Sequence, residues 1–374
     1  MGRLRAIKEQ NQRAQPAAEE TVDWDDLCKR IDDGQVIPII GNGVFNDLLF
    51  PMTEDDLREI KGRENPLGWS VEEQLTDLWA DAIEYPLMES HVLPRVALFD
   101  RVVSSKDDQE AKERYLDWLK ESFLTLAALE EGSDPDKVAE LRGELKRHSL
   151  SYLASELGYP KPAEGEDDTL ELLAKLNLPI YITTSPFDLL ERAIIANGRP
   201  NVRTQVCFWR GAEPLRWANE KHKTDYTFSP SAETPLVYHM FGLEAYPESM
   251  VLSEDDYLDF ITAIAKDTDQ TKPILPLYLR QAITRSSLLL MGYRLRDADF
   301  RVLFRGLINA TPSSLRPYSL AIQVDPRQRS KVVSAEKLLR YLKIYFGESK
   351  FTIAWNQPHE FARILWEKFD EWRR

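Results

Sequence analysis

The chain has 374 residues, 43% of them hydrophobic, and a formal net charge of −14. That length buries a substantial core, as one large domain or as a domain with an extensive insertion, and the acidic balance works against a nucleic-acid or anionic-lipid partner. Two distant cysteines, Cys28 and Cys207, encode neither a disulfide framework nor a thiolate zinc site. No run of about 18 apolar residues and no apolar leader is found, so a soluble cytoplasmic protein without a membrane partner is expected.

Residues 1–21 mix Arg, Gln, Glu and Ala without a sustained apolar face and read as a mobile N-terminal arm, with the domain proper over 22–374. The first strong signal is the run Val36-Ile37-Pro38-Ile39-Ile40, ending in Gly41-Asn42-Gly43. Such a turn lets backbone N–H groups approach a phosphate, which makes a nucleotide the first ligand to consider. The third glycine of a full G-x-G-x-x-G is replaced by Asn46, and a bare G-x-G is equally a simple tight turn. Pro38 has no N–H for a ladder and is expected at the strand's start or at an irregular position.

Helix signals dominate from Thr53, with Thr53-Glu54-Asp55-Asp56 as a cap and apolar residues at helical spacing over 69–83. This predicts a large helical insertion after the first strand, at about 53–165, closed by a linker over 160–168. From Leu178 onward β-branched runs alternate with helical patterns. Strands are expected over 179–184, 204–208, 235–241, 287–292, 319–324 and 351–355, and helices over 187–197, from Glu254, over 299–309 and 334–345, and at the end. The fold class is therefore α/β, a doubly wound, mainly parallel sheet. Its ligands bind beyond the carboxyl ends of the strands, here 41–45, 183–188, 239–242 and 292–297.

The ordered blocks Ile39-Ile40-Gly41-Asn42-Gly43, Ile182-Thr183-Thr184-Ser185, Val237-Tyr238-His239-Met240-Phe241-Gly242, Val251-Leu252-Ser253-Glu254-Asp255-Asp256-Tyr257 and Gly292-Tyr293-Arg294-Leu295-Arg296-Asp297 resemble the bacterial SIR2-like family. The resemblance implies a Rossmann-like fold with NAD as substrate or ligand. It further implies an NAD-consuming effector of anti-phage defence, often coupled to a partner ATPase or sensor and often a homo-oligomer. On this basis Gly41, Asn42, Gly43, Thr183, Thr184, Gly292, Tyr293 and Arg294 are expected to bind the cofactor, and Ser185, Asp188 and His239 to carry the chemistry. Classical sirtuin deacylases carry a four-cysteine zinc module that this chain cannot build. The Asn that follows the Thr-Thr pair in SIR2-like hydrolases is Ser185 here, and the His before the later glycine is Phe241.

Each candidate also has a plainer reading. His239, two residues before Phe241 on what a regular strand makes the same face, is either a displaced catalytic group or a hydrogen-bonded structural residue. Asp188 either orients a ribose or caps the following helix. Thr183, Thr184 and Ser185 either meet a ligand or satisfy the turn. Ser253-Glu254-Asp255-Asp256 has the spacing of a helix N-terminus, and Arg294 and Arg296 pair either with pyrophosphate or with nearby acids. The scattered histidines form no metal constellation, and no metal is expected. Two functions remain: hydrolysis of NAD to nicotinamide and an ADP-ribose product, or a catalytically deficient nucleotide-binding sensor or assembly subunit.

Overall fold

Val36–Ile40 forms β1, with all five residues buried, inside a seven-stranded sheet of order β3-β4-β2-β1-β5-β6-β7. The computed structural model describes residues 22–50, 69–104, 107–130, 132–159, 167–210, 218–267, 273–293, 300, 302, 320–324, 337, 340, 341, 344 and 351–374. The remaining strands are β2 (Ile180–Thr183), β3 (Arg203–Val206), β4 (Leu236–His239), β5 (Ser287–Tyr293), β6 (Leu320–Val324) and β7 (Phe351–Trp355). Every neighbouring pair is parallel. The chain leaves β1 toward β2 on one side and later returns to β5 on the other, so the β1–β5 boundary is the topological switch point. This is a doubly wound, Rossmann-like α/β fold.

Helices α1 (Trp24–Asp32) and α2 (Asn42–Leu49) flank β1. A helical insertion separates β1 from β2 and contains α3 (Val71–Ala82), α4 (Leu93–Ser104), α5 (Asp108–Leu129), α6 (Pro135–Gly143), α7 (Leu150–Glu156) and α8 (Thr169–Lys175). Helix α9 (Leu189–Ala196) follows β2, α10 (Glu254–Lys266) and α11 (Leu277–Arg285) lie between β4 and β5, and α12 (Pro358–Arg373) follows β7. The Ser253 spacing is a true capping box: its hydroxyl accepts from Asp256 N, and Asp256 reaches back to Ser253 N. The N-terminal arm, the Thr53 cap, Arg294, Arg296 and most of the 299–309 and 334–345 helices lie outside the described residues.

Strand alternation divides the side chains between two cores. Val36, Ile40, Tyr181, Val237, Leu289 and Met291 pack with residues of α1, α2, α5, α8, α9 and α12. Ile37, Ile39, Ile182, Tyr238, Leu288 and Leu290 face the opposite side, with Phe260 of α10 and Leu279 of α11. The insertion adds a smaller cluster of Trp79, Val96 and Ala97, which closes on Leu252.

Pro38 stands in the middle of β1 rather than at its start. Gly41 N donates toward β5, at Met291 O, while Ile40 O accepts from Thr184 on the β2 side. Alternation then directs position 38 toward β2. The β1–β2 register begins only at Ile39↔Ile182, whereas β1 and β5 stay paired from Val36 to Ile40. The missing N–H thus falls where the ladder has not yet begun.

Candidate functional site

The strand ends form one line. Ile40 is in register with Met291 of β5 and with Thr183 of β2, Thr183 with His239 of β4, and His239 with Val206 of β3. The segments predicted to converge therefore do so for the glycine turn, Thr183–Ser185, His239 and Gly292–Tyr293.

Helix α2 starts directly at the end of β1. Its N-cap, Gly41, has no side chain to accept from the first-turn amides, and no acidic residue lies in that turn. Such a helix start favours an anion. The glycines also meet a packing need, because a Cβ would stand 2.8 Å from the Gly292 carbonyl oxygen at Gly41 and 2.6 Å from it at Gly43. Gly292 itself has φ +73, and a Cβ there would lie 2.7 Å from Val44 Cγ2. The end of β5 crosses so close to the turn that both partners are glycine. Asn42 Oδ1 is buried beside it without a hydrogen-bond partner among the described residues.

On β2, Thr183 is consumed by the turn: its hydroxyl donates to Ile40 O at 3.1 Å and accepts from Ser185 N at 3.0 Å. The Thr184 hydroxyl meets the Tyr293 hydroxyl at 3.0 Å. Ser185 is fully buried, yet its Oγ has no partner among the described residues. Leaving such a hydroxyl unpaired costs about 1–3 kcal/mol. A hydroxyl-rich ligand in the crevice would satisfy both, donating to Asn42 Oδ1 and pairing with Ser185 Oγ.

His239 is buried with both ring nitrogens engaged, Nδ1 with Ser185 O at 3.1 Å and Nε2 with Glu191 Oε1 at 2.8 Å. Burial works against a charged ring, but the charge and hydrogen bond of Glu191 and the Ser185 carbonyl outweigh it and hold the His239 pKa above the ordinary histidine value. The expected shared face with Phe241 is not formed. Strand β4 ends at His239, and Phe241 packs on the α10 side, its ring 5.1 Å from that of Phe260 and 5.6 Å from that of Tyr257. Asp188 occupies the N-cap position of α9 but makes no side-chain cap bond. It pairs instead with Arg192, one turn on, at 3.2 Å. The capping reading of Asp188 gives way to an ion pair on the α9 surface.

Two buried acids were not singled out from the sequence. Glu191 also accepts from the Thr204 hydroxyl at 2.9 Å; it lies inside an apolar helical run, and only its place one turn after Asp188 marks it. Glu244 donates its amide to Pro186 O at 2.9 Å, and its carboxylate accepts from Leu150 N at 2.8 Å. Burial, reinforced by Asp188 and opposed by the Leu150 amide and Lys120, pushes Glu244 up to about 7. Nothing in its local sequence announces a contact 94 residues away.

Residues 179–346 match the family model described as SIR2-like domain. The match takes in β2 through β6, with Thr183, Thr184, Ser185, His239, Gly292 and Tyr293. The glycine turn precedes it and joins the site through the register of β1 with β2 and β5. SIR2-like domains generally bind NAD. A comparison with curated proteins finds no match.

Proposed function

We propose that this chain, which carries a SIR2-like domain, binds NAD at the β1–β5 switch point and hydrolyses its nicotinamide–ribose bond, releasing nicotinamide and an ADP-ribose product. The observation that supports the reading best is the convergence of an uncapped helix start, two unpartnered buried polar groups and a matched SIR2-like region at one sheet edge. In this reading the amides of Asn42 and Gly43 meet the pyrophosphate at the turn that Gly41 opens, and Ser185 meets the nicotinamide-side ribose. Thr184 and Tyr293 shape the wall between them.

Cleavage of this bond is favourable ground for a site without an obvious strong base. The leaving nicotinamide departs neutral from a cationic nitrogen, so it needs no proton from the protein. The developing oxocarbenium needs orientation and a placed water. Ser185 serves orientation, and Asp188, which lies near enough to act on both His239 and Glu244, adds negative potential. We further propose a role as a cytoplasmic defence effector that works as a homo-oligomer with a partner ATPase or sensor, an extension that rests on the family alone.

A specific observation also favours a second reading, an NAD-binding sensor or assembly subunit without turnover. Phe241 is turned into the core, and both His239 nitrogens already face acceptors. One experiment separates the two: purified chain incubated with NAD, nicotinamide release followed by mass spectrometry, and NAD binding followed by calorimetry, with Asn42→Ala as control. Release abolished by the control supports hydrolysis. Binding without release supports the sensor, and neither binding nor release overturns the NAD reading.

A further inference from the structure

We propose that Glu191 and His239 are positioning residues, acting through the Ser185 backbone to aim its hydroxyl at the distal ribose of NAD; this rests on the NAD reading above. The hydrogen bonds run unbroken along half the sheet edge. Thr204 on β3 donates to Glu191 on α9, Glu191 pairs with His239 on β4, and His239 meets the carbonyl of Ser185 beyond β2. The Ser185 amide donates to Thr183, and Thr183 donates to Ile40 on β1.

Both backbone groups of Ser185 are therefore tied, one toward β4 and one toward β1. Pro186 follows and contributes no N–H of its own, while its carbonyl accepts from Glu244 N. Among the described residues these contacts fix the Ser185 backbone, and none takes its hydroxyl. A carbonyl accepts only, so His239 Nδ1 carries a hydrogen. Nε2 lies 2.8 Å from Glu191 Oε1, and that contact raises the His239 pKa. An ion pair placed this deep gives little stability over apolar side chains of equal volume, so its usefulness is sought in what it orients. A ring whose two nitrogens are both committed takes up no further proton, which separates this role from general-base catalysis.

The test uses the full chain and three ligands titrated by calorimetry: NAD, ADP-ribose and ADP, the last of which has the pyrophosphate but lacks the distal ribose. In Glu191→Gln, affinity for NAD and ADP-ribose is expected to fall about tenfold, the scale of one good hydrogen bond, while affinity for ADP changes by less than about twofold. Ser185→Ala removes a hydroxyl that no group among the described residues uses, so its folding is safe, and it should reproduce the same selective loss. The double variant should bind NAD no worse than the weaker single variant. A pH titration of His239 followed by nitrogen NMR should find the imidazolium persisting to higher pH in the wild type than in Glu191→Gln.

Equal losses for all three ligands in Glu191→Gln, or unchanged NAD affinity in Ser185→Ala, would overturn the positioning role while leaving NAD binding intact. A wild-type chain that binds none of the three overturns the NAD reading, and this proposal with it.

Discussion

Thr184 and Tyr293 meet hydroxyl to hydroxyl at 3.0 Å, joining the ends of β2 and β5 across the end of β1, the strand between them. This contact closes the crevice at the switch point, because Tyr293 also lies against the glycine turn, where a Cβ on Gly41 would approach its Cε1 to 2.8 Å. Tyr293→Phe keeps the ring and removes the link. The expected cost is about 1 kcal/mol of folding stability, read from the midpoint of urea unfolding, with NAD binding weakened by a smaller factor than in Asn42→Ala. A tighter complex in Tyr293→Phe would show that the link holds the crevice too closed.

The glycines of the turn are expected to differ sharply from a glycine in open space. Gly43→Ala would place a Cβ 2.6 Å from a backbone oxygen of Gly292, which must shift, at a cost of about 1–3 kcal/mol for overpacking. Gly143→Ala, at the end of α6, meets nothing within 4 Å and should be neutral or stabilising by up to about 1 kcal/mol. Urea unfolding of the two variants side by side checks this. Equal stability in both would mean that the β5 crossing yields without strain.

Most of the frame was legible because its signals are local. Val36–Ile40 and Phe351–Trp355 were bounded by glycine, proline or turn residues and emerge with the expected limits. Strand ends were less so: β4 stops at His239, two residues short of expectation, because Gly242 at φ +90 turns the chain and Ser249 and Met250 press against it. That turn carries Phe241 to the opposite core from His239. The site followed the same division. Glycines, threonines and Tyr293 announced themselves by motif, whereas Glu191 and Glu244 matter only through partners on distant segments, Thr204, His239 and Leu150. Pro38 misled for a physical reason, since its missing donor falls where β2 has not yet paired.

The insertion is locked to the β4–α10 loop through Lys112. This buried ammonium on α5 bonds Met250 O at 2.7 Å and Asp108 at 2.8 Å, and lies 3.4 Å from Asp256. Burial depresses its pKa, and the two aspartates oppose that shift. Asp256 keeps other partners, Arg210 and the amides of Leu252 and Ser253, so breaking the Lys112 contacts should cost the lower end of the range for buried pairs, about 3 kcal/mol. Lys112→Met is the variant, with stability read by urea unfolding and local opening by hydrogen exchange at 250–253. Unchanged exchange there would mean that the capping box alone holds the loop.

Glu244 gives the stability of the whole chain a pH signature. Its carboxyl is raised from 4.5 to about 7 in the fold, so between those values the native chain holds a proton that the unfolded chain has released. Stability then falls as pH rises through that window, because the unfolded state binds fewer protons there. A shift of this size corresponds to a loss on the order of 3 kcal/mol. His239 works in the same direction but later: its raised pKa contributes stability below about 6.5, the ordinary value, and that contribution fades as pH climbs through the folded value. Glu244→Gln keeps an acceptor for the Leu150 amide and removes the titration. Urea unfolding from pH 4.5 to 9 should find the wild type losing more stability than Glu244→Gln as pH rises from about 4.5 to about 7. Parallel curves for the two proteins would show that the Glu244 carboxylate is solvated as well in the fold as outside it.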